Sequence, residues 1–108
     1  MESGSRPLMR YSRIWEFDVR NPIRSGQFKH DVKTAEKRGK SMGKLRVLLA
    51  LLIEGKPLPR EYLDHPLKGG WKGYRDSHME PDWLLIYKVD DANLWLARTG
   101  THADIFGR

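Results

Sequence analysis

The 108-residue chain contains no cysteine. A disulfide framework and a thiolate metal site are both excluded, and a reducing compartment is permitted. Long apolar runs are missing too: the longest, Val47 to Ile53, is seven residues, far short of the ~20 a membrane-spanning helix needs. The opening MESGSRPLMR has no apolar core of the kind a secretory signal requires. No glycine-rich phosphate loop is present, because Lys68-Gly69-Gly70 lacks both the spacing and the Lys-Ser or Lys-Thr that completes one. The expectation from these absences is a soluble, cytoplasmic protein with no membrane partner and no cofactor, and from 108 residues a single domain.

What the chain does have is positive charge, unevenly placed. Twenty Lys and Arg against fourteen Asp and Glu give a net charge of +6. Residues 27 to 46 carry seven basic and two acidic side chains, whereas residues 47 to 108 carry eight basic and nine acidic. A field polarised in this way suits a polyanion or an acidic protein partner, with a solvated helix face as the plainer alternative.

Hydrophobic periodicity divides the chain into elements. Residues 1–26 form an N-terminal extension in which Arg13 to Val19 alternates like a strand, until Asn21-Pro22 stops it. Phe28, Val32 and Ala35 share one helical face, with Gly39 as a terminator; Ser41 opens a second helix striped by Met42, Leu45, Leu48, Leu49, Leu52 and Ile53 and closed by Gly55. Strands follow at Trp71 to His78, Trp83 to Val89 and Leu94 to Thr99, the last two joined by a turn over Asp90 to Asn93. The expected architecture is α+β: a two-helix hairpin packed on an antiparallel sheet of three to four strands, spanning residues 27–108.

Three of the four histidines, His65, His78 and His102, fall between Asp64 and His102 together with Asp82. Imidazole suits proton transfer near neutral pH because its unperturbed pKa is about 6.5. Pro81 places His78, Glu80 and Asp82 at a strand end and turn, a common mounting for functional groups. Each histidine could instead be an ordinary polar residue, and His30, about 200° around its helix from Phe28, is expected to face solvent. The histidine spacings match no zinc pattern, so metal ligands would have to converge in space. Trp71 reads as core, while Trp83 is open between core and base stacking.

The runs Asp64-His65-Pro66-Leu67, Trp71 through Tyr87 (WKGYRDSHMEPDWLLIY), and Arg98-Thr99-Gly100-Thr101-His102 with Ile105-Phe106 closely resemble the YafQ toxins of the RelE/ParE superfamily, from bacterial type II toxin-antitoxin systems. The resemblance covers about Gln27 to Gly107. It implies a microbial ribonuclease-like fold, and an endoribonuclease that cuts mRNA in the ribosomal A site and is silenced by a cognate antitoxin. The family's functional positions fall on His65, His78, Asp82, Trp83, His102 and Phe106. Such cleavage needs a base for the 2′-hydroxyl and an acid for the departing 5′-oxygen. His102 and Asp82 lead as the acid/base candidates, in either order, with His65 and His78 orienting, donating to the phosphate or substituting in one role. Arg75 and Lys72 are weaker candidates for offsetting charge on the phosphorane. A non-catalytic RNA- or ribosome-binding module, or a ParE-like toxin acting on gyrase, are the alternatives; the histidine set disfavours the latter.

Overall fold

A computed structural model of the chain describes residues 19–107. Of the strand expected over residues 13–19, only Val19 is described, and it is exposed and outside any strand. Helix α1 (Gly26–Lys37) begins where the Ser25 hydroxyl accepts the Phe28 N–H, satisfying one of the donors every helix start leaves free. It buries Phe28 and Ala35 with Val32 packed beside them. Gly39, at φ +82°, turns the chain in a conformation that a side chain would strain. Helix α2 (Met42–Ile53) then buries Leu45, Leu48 and Leu52.

The sheet has five strands, β1 (Asn21–Arg24), β2 (His65–Pro66), β3 (Arg75–Glu80), β4 (Trp83–Val89) and β5 (Asn93–Gly100), in the order β1-β5-β4-β3-β2. Neighbours are antiparallel except β1, which runs parallel to β5. The sheet is thus larger than the expected three to four strands, and mixed rather than antiparallel. Asn21-Pro22 itself belongs to a strand, and the segment it was expected to stop lies outside the described residues except for Val19. The N–H groups of Asn21 and Ser25 both point to β5, so the nitrogen of Pro22 points to the outer edge, where a missing donor breaks no ladder bond.

The expected strand from Trp71 begins only at Arg75, because a 3₁₀ turn over Gly69–Trp71 and Gly73 at φ +94° hold the chain in a bend. It runs on to Glu80 through an irregularity between His78 and Glu80. Strand β4 has the expected limits, and Asp90 Oδ1 accepts the N–H groups of Ala92 and Asn93 to shape the turn that follows.

Strand alternation separates two faces. Trp83, Leu85 and Tyr87 of β4 and Leu94 and Leu96 of β5 join the helices in the core. Leu84 and Ile86, also buried, are paired in register with His78 and Asp76. Asp76 and His78 therefore stand on the face away from the helices. Asp64, at the entry to β2, is tied to the core side instead. Its carboxylate accepts from Arg75 Nε at 2.7 Å, from Ser77 Oγ at 2.5 Å and from the Tyr87 hydroxyl. Burial first, and then the bond to Asp64, push the Tyr87 phenol well above its ordinary range.

Replacing Asp64 with Ala leaves the buried Ser77 and Tyr87 hydroxyls without their acceptor. The expected loss is about 2 kcal/mol, read as a lower urea midpoint with unchanged slope. An unchanged midpoint would mean that the loop carrying His65 is held by other contacts.

Candidate functional site

Three short pieces of backbone converge on the open face of the sheet. Strand β3 supplies Asp76 and His78, two residues apart and so on one side. Strand β2 sets His65 directly opposite Asp76. Helix α3 (His102–Phe106) supplies His102 and Phe106. Its start is fixed by a capping box, in which the Thr101 hydroxyl accepts the Asp104 N–H and the Asp104 carboxylate accepts the Thr101 N–H.

The Asp76 carboxylate, 3% exposed, lies between two imidazoles. Oδ1 is 2.8 Å from His78 Nε2, and Oδ2 is 3.9 Å from His65 Nε2. The closer approach is off the axis of a hydrogen bond, and neither of its two buried atoms has another partner among the described residues. Buried polar atoms left in this way are uncommon, and they make the pair available to a third group. His65 Nδ1 is 2.8 Å from the Leu63 carbonyl, which can only accept, so Nδ1 carries the proton. Leu63 itself is held at φ +49°, a strained conformation for a non-glycine residue.

Across from this group stands His102. Asp82 Oδ1 accepts the His102 backbone N–H at 2.8 Å and lies 2.5 Å from His102 Nδ1. These two bonds hold the Asp82 carboxyl below its ordinary range. An ionised Asp82 accepts a proton-bearing Nδ1 and leaves Nε2 as the nitrogen free to exchange a proton. The His78 and His102 ring centroids are 5.8 Å apart, those of His65 and His78 are 6.1 Å apart, and Phe106 stands 6.3 Å from His102. With Leu67, Lys68 and Trp71, these rings and Asp76 line an open cleft of about 630 Å³.

The structure thus brings together His65, His78, His102, Asp82 and Phe106. It places other expected residues elsewhere. Trp83 is 1% exposed within the core, so its ring offers no face for stacking on a base. Arg75 spends its guanidinium on Asp64, and Lys72 is exposed in a turn that does not line the cleft. The cleft's own cation is Lys68, and Trp71, expected in the core, is half-buried at its wall. Asp76 was legible in principle, since alternation along the strand already sets it on the face of His78. His65, Asp76 and His78 also offer donor atoms all within 4.8 Å of one another. They could hold a metal ion through a convergence that sequence spacing does not reveal.

Helix α3 is anchored from α1. Arg38 Nη1 and Nη2 donate to Asp104 at 2.6 and 3.2 Å, and the guanidinium holds the Asp104 carboxyl far below its usual range. A Cβ at Gly100 would meet Asp104 Oδ2 at 2.9 Å, so only glycine leaves Asp104 this position.

A depressed folded pKa stabilises above the unfolded value of about 3.9 and is lost as pH falls through the folded value. The stability difference between wild type and Arg38→Gln should therefore be flat above about pH 5 and shrink on acidification below about pH 4. Urea midpoints measured from pH 2 to 7 check this, and a difference constant across the range would deny the ion pair its role.

A family model described as "Bacterial toxin of type II toxin-antitoxin system, YafQ" matches residues 20–107. A relative from Escherichia coli K12, the mRNA interferase toxin YafQ, is 61% identical over 84 residues, covering 77% of this chain and 91% of that protein. The E. coli DinJ-YafQ toxin-antitoxin complex contains a chain similar at TM-score 0.77 and 58% identity, with 82% of this chain and 99% of that one covered. A metal-bound toxin from Helicobacter pylori aligns at TM-score 0.75 and 36% identity, with 82% and 99% covered.

Proposed function

The chain belongs to the YafQ family of type II toxin-antitoxin toxins, and from that premise we propose that it is an mRNA interferase: an endoribonuclease that cuts message in the ribosomal A site and is silenced by a cognate antitoxin. The observation that carries this reading is the opposition of His102, backed by Asp82, to the His65–Asp76–His78 group across one cleft. Imidazoles on both sides of a phosphate meet the two demands of metal-free RNA cleavage. One removes the proton from the 2′-hydroxyl, whose oxygen attacks phosphorus. The P–O5′ bond breaks, and the opposite imidazole protonates the 5′-oxygen.

In this reading His102 is one proton-transfer group, and His65 or His78 the other. Asp82 is a positioning residue rather than the acid or base the sequence suggested, because a carboxylate held below its ordinary range is a poor proton carrier near neutrality. Lys68 offsets the charge of the phosphorane. Phe106 and Trp71 offer ring surface to unstacked bases. Lys29, Lys33, Lys37 and Arg46 of the helix hairpin, exposed and without an acidic partner among the described residues, suit ribosomal phosphates or an acidic antitoxin segment.

The test is a translation reaction on a defined message, with breaks mapped by primer extension. His102→Gln should lower cleavage by about 10²- to 10⁴-fold while its co-sedimentation with ribosomes stays unchanged. Products should end in a 2′,3′-cyclic phosphate and a 5′-hydroxyl. Intact message with the wild-type chain, or 3′-hydroxyl and 5′-phosphate ends, would overturn the mechanism.

A further inference from the structure

The wall of the cleft does not end at Trp71. That ring packs edge-on against Tyr74, with centroids 5.3 Å apart. The Lys88 ammonium then lies 5.1 Å from the Tyr74 centroid and 5.5 Å from that of Trp95. Lys88 and Trp95 are register partners on β4 and β5. Alternation from Leu84 and Ile86 puts Lys88 on the cleft side of the sheet, away from α1 and α2. Trp95 is 36% exposed, yet its ring is tethered, because Nε1 donates to Asp90 Oδ2 at 3.0 Å.

A fixed, exposed indole beside a cation, on the face of the sheet that carries the proton-transfer groups, contributes nothing to the helix-side core. Its chemistry is that of single-stranded nucleic acid recognition: rings for bases and an ammonium for phosphate. We propose that Tyr74, Lys88 and Trp95 form a second RNA subsite that holds a nucleotide beyond the one cut in the cleft. The inference rests on the ribonuclease reading above. Stacking accepts any base, so the subsite adds affinity and alignment without adding codon preference. The Asp90 carboxylate marks its outer limit, since a phosphate carried past Trp95 would meet like charge. The nucleotide can come from the message or from ribosomal RNA, which present the same groups.

The experiment uses the full chain with His102→Gln, so that bound RNA persists, and Trp95→benzoylphenylalanine as a photo-crosslinker. One arm contains a free ten-nucleotide RNA; the other contains ribosomes programmed with a message bearing that sequence. A crosslink to message outside the cut codon, or to ribosomal RNA, supports the subsite and names its source. Crosslinks to ribosomal protein alone, or none in either arm, overturn it. In otherwise wild-type protein, Lys88→Gln with Trp95→Leu should raise KM for programmed ribosomes about tenfold with kcat unchanged; an equal fall in kcat, or no change in KM, also overturns it. The crosslink does not depend on cleavage, so loss of the subsite with cleavage intact, and loss of the ribonuclease reading with the crosslink intact, are separate results.

Discussion

Asp64 takes hydrogen bonds from Arg75, Ser77 and Tyr87 on the helix side of the sheet, and the histidine that follows it is thereby set opposite Asp76. The place of His65 on the open face depends on that anchoring. Strand β2 is only two residues long, too short to hold its register by ladder bonds alone. The carboxylate adds side-chain bonds to strands β3 and β4, so the loop enters the sheet at a fixed point. The strain at Leu63 is sustained by the same anchoring and leaves the Leu63 carbonyl at His65 Nδ1.

The hairpin's positive charge is not all of one kind. Arg38 is engaged by Asp104, and Lys40 and Lys44 both grip Glu80. These cations join the helices to α3 and to the end of β3, the two places where His102 and His78 are mounted. Charge that reads in the sequence as one basic tract is thus divided between holding the site and facing outward. Such half-exposed pairs contribute modestly to stability; their effect here is on position.

Much of this was legible in the residues. Both helices, the strand from Trp83 and the Asp90 turn follow from periodicity and turn chemistry that tertiary packing leaves intact. That Pro22 also belongs to a strand could not be read from its segment, because a proline is tolerated there only when its nitrogen lies at an edge. Trp71 misled because a glycine at positive φ converted an alternating pattern into a bend. For the site, the histidines stood out by type and Asp76 follows from alternation within its own strand, whereas the place of Lys68 at the cleft and of Trp83 in the core depends on pairings between strands that no single segment encodes. Arg75 is drawn away from the cleft by Asp64, a residue whose partners lie 11 to 23 positions away.

The two outer strands share a trait with consequences for assembly. At β1 alternation turns the nitrogens of Pro22 and Arg24 outward, and the first of these carries no hydrogen. At β2 the Leu67 N–H turns inward to Tyr74, so the outward nitrogen there is that of Pro66. Among the described residues, each rim of the sheet therefore carries a proline where an added strand would seek a donor, although the Arg24 N–H remains at the β1 rim. Extension of the sheet by a foreign chain, or by a second copy of this one, is discouraged at both ends. Among the described residues the prolines weaken strand addition at the rims, which favours recognition through side chains on the helices and the open face.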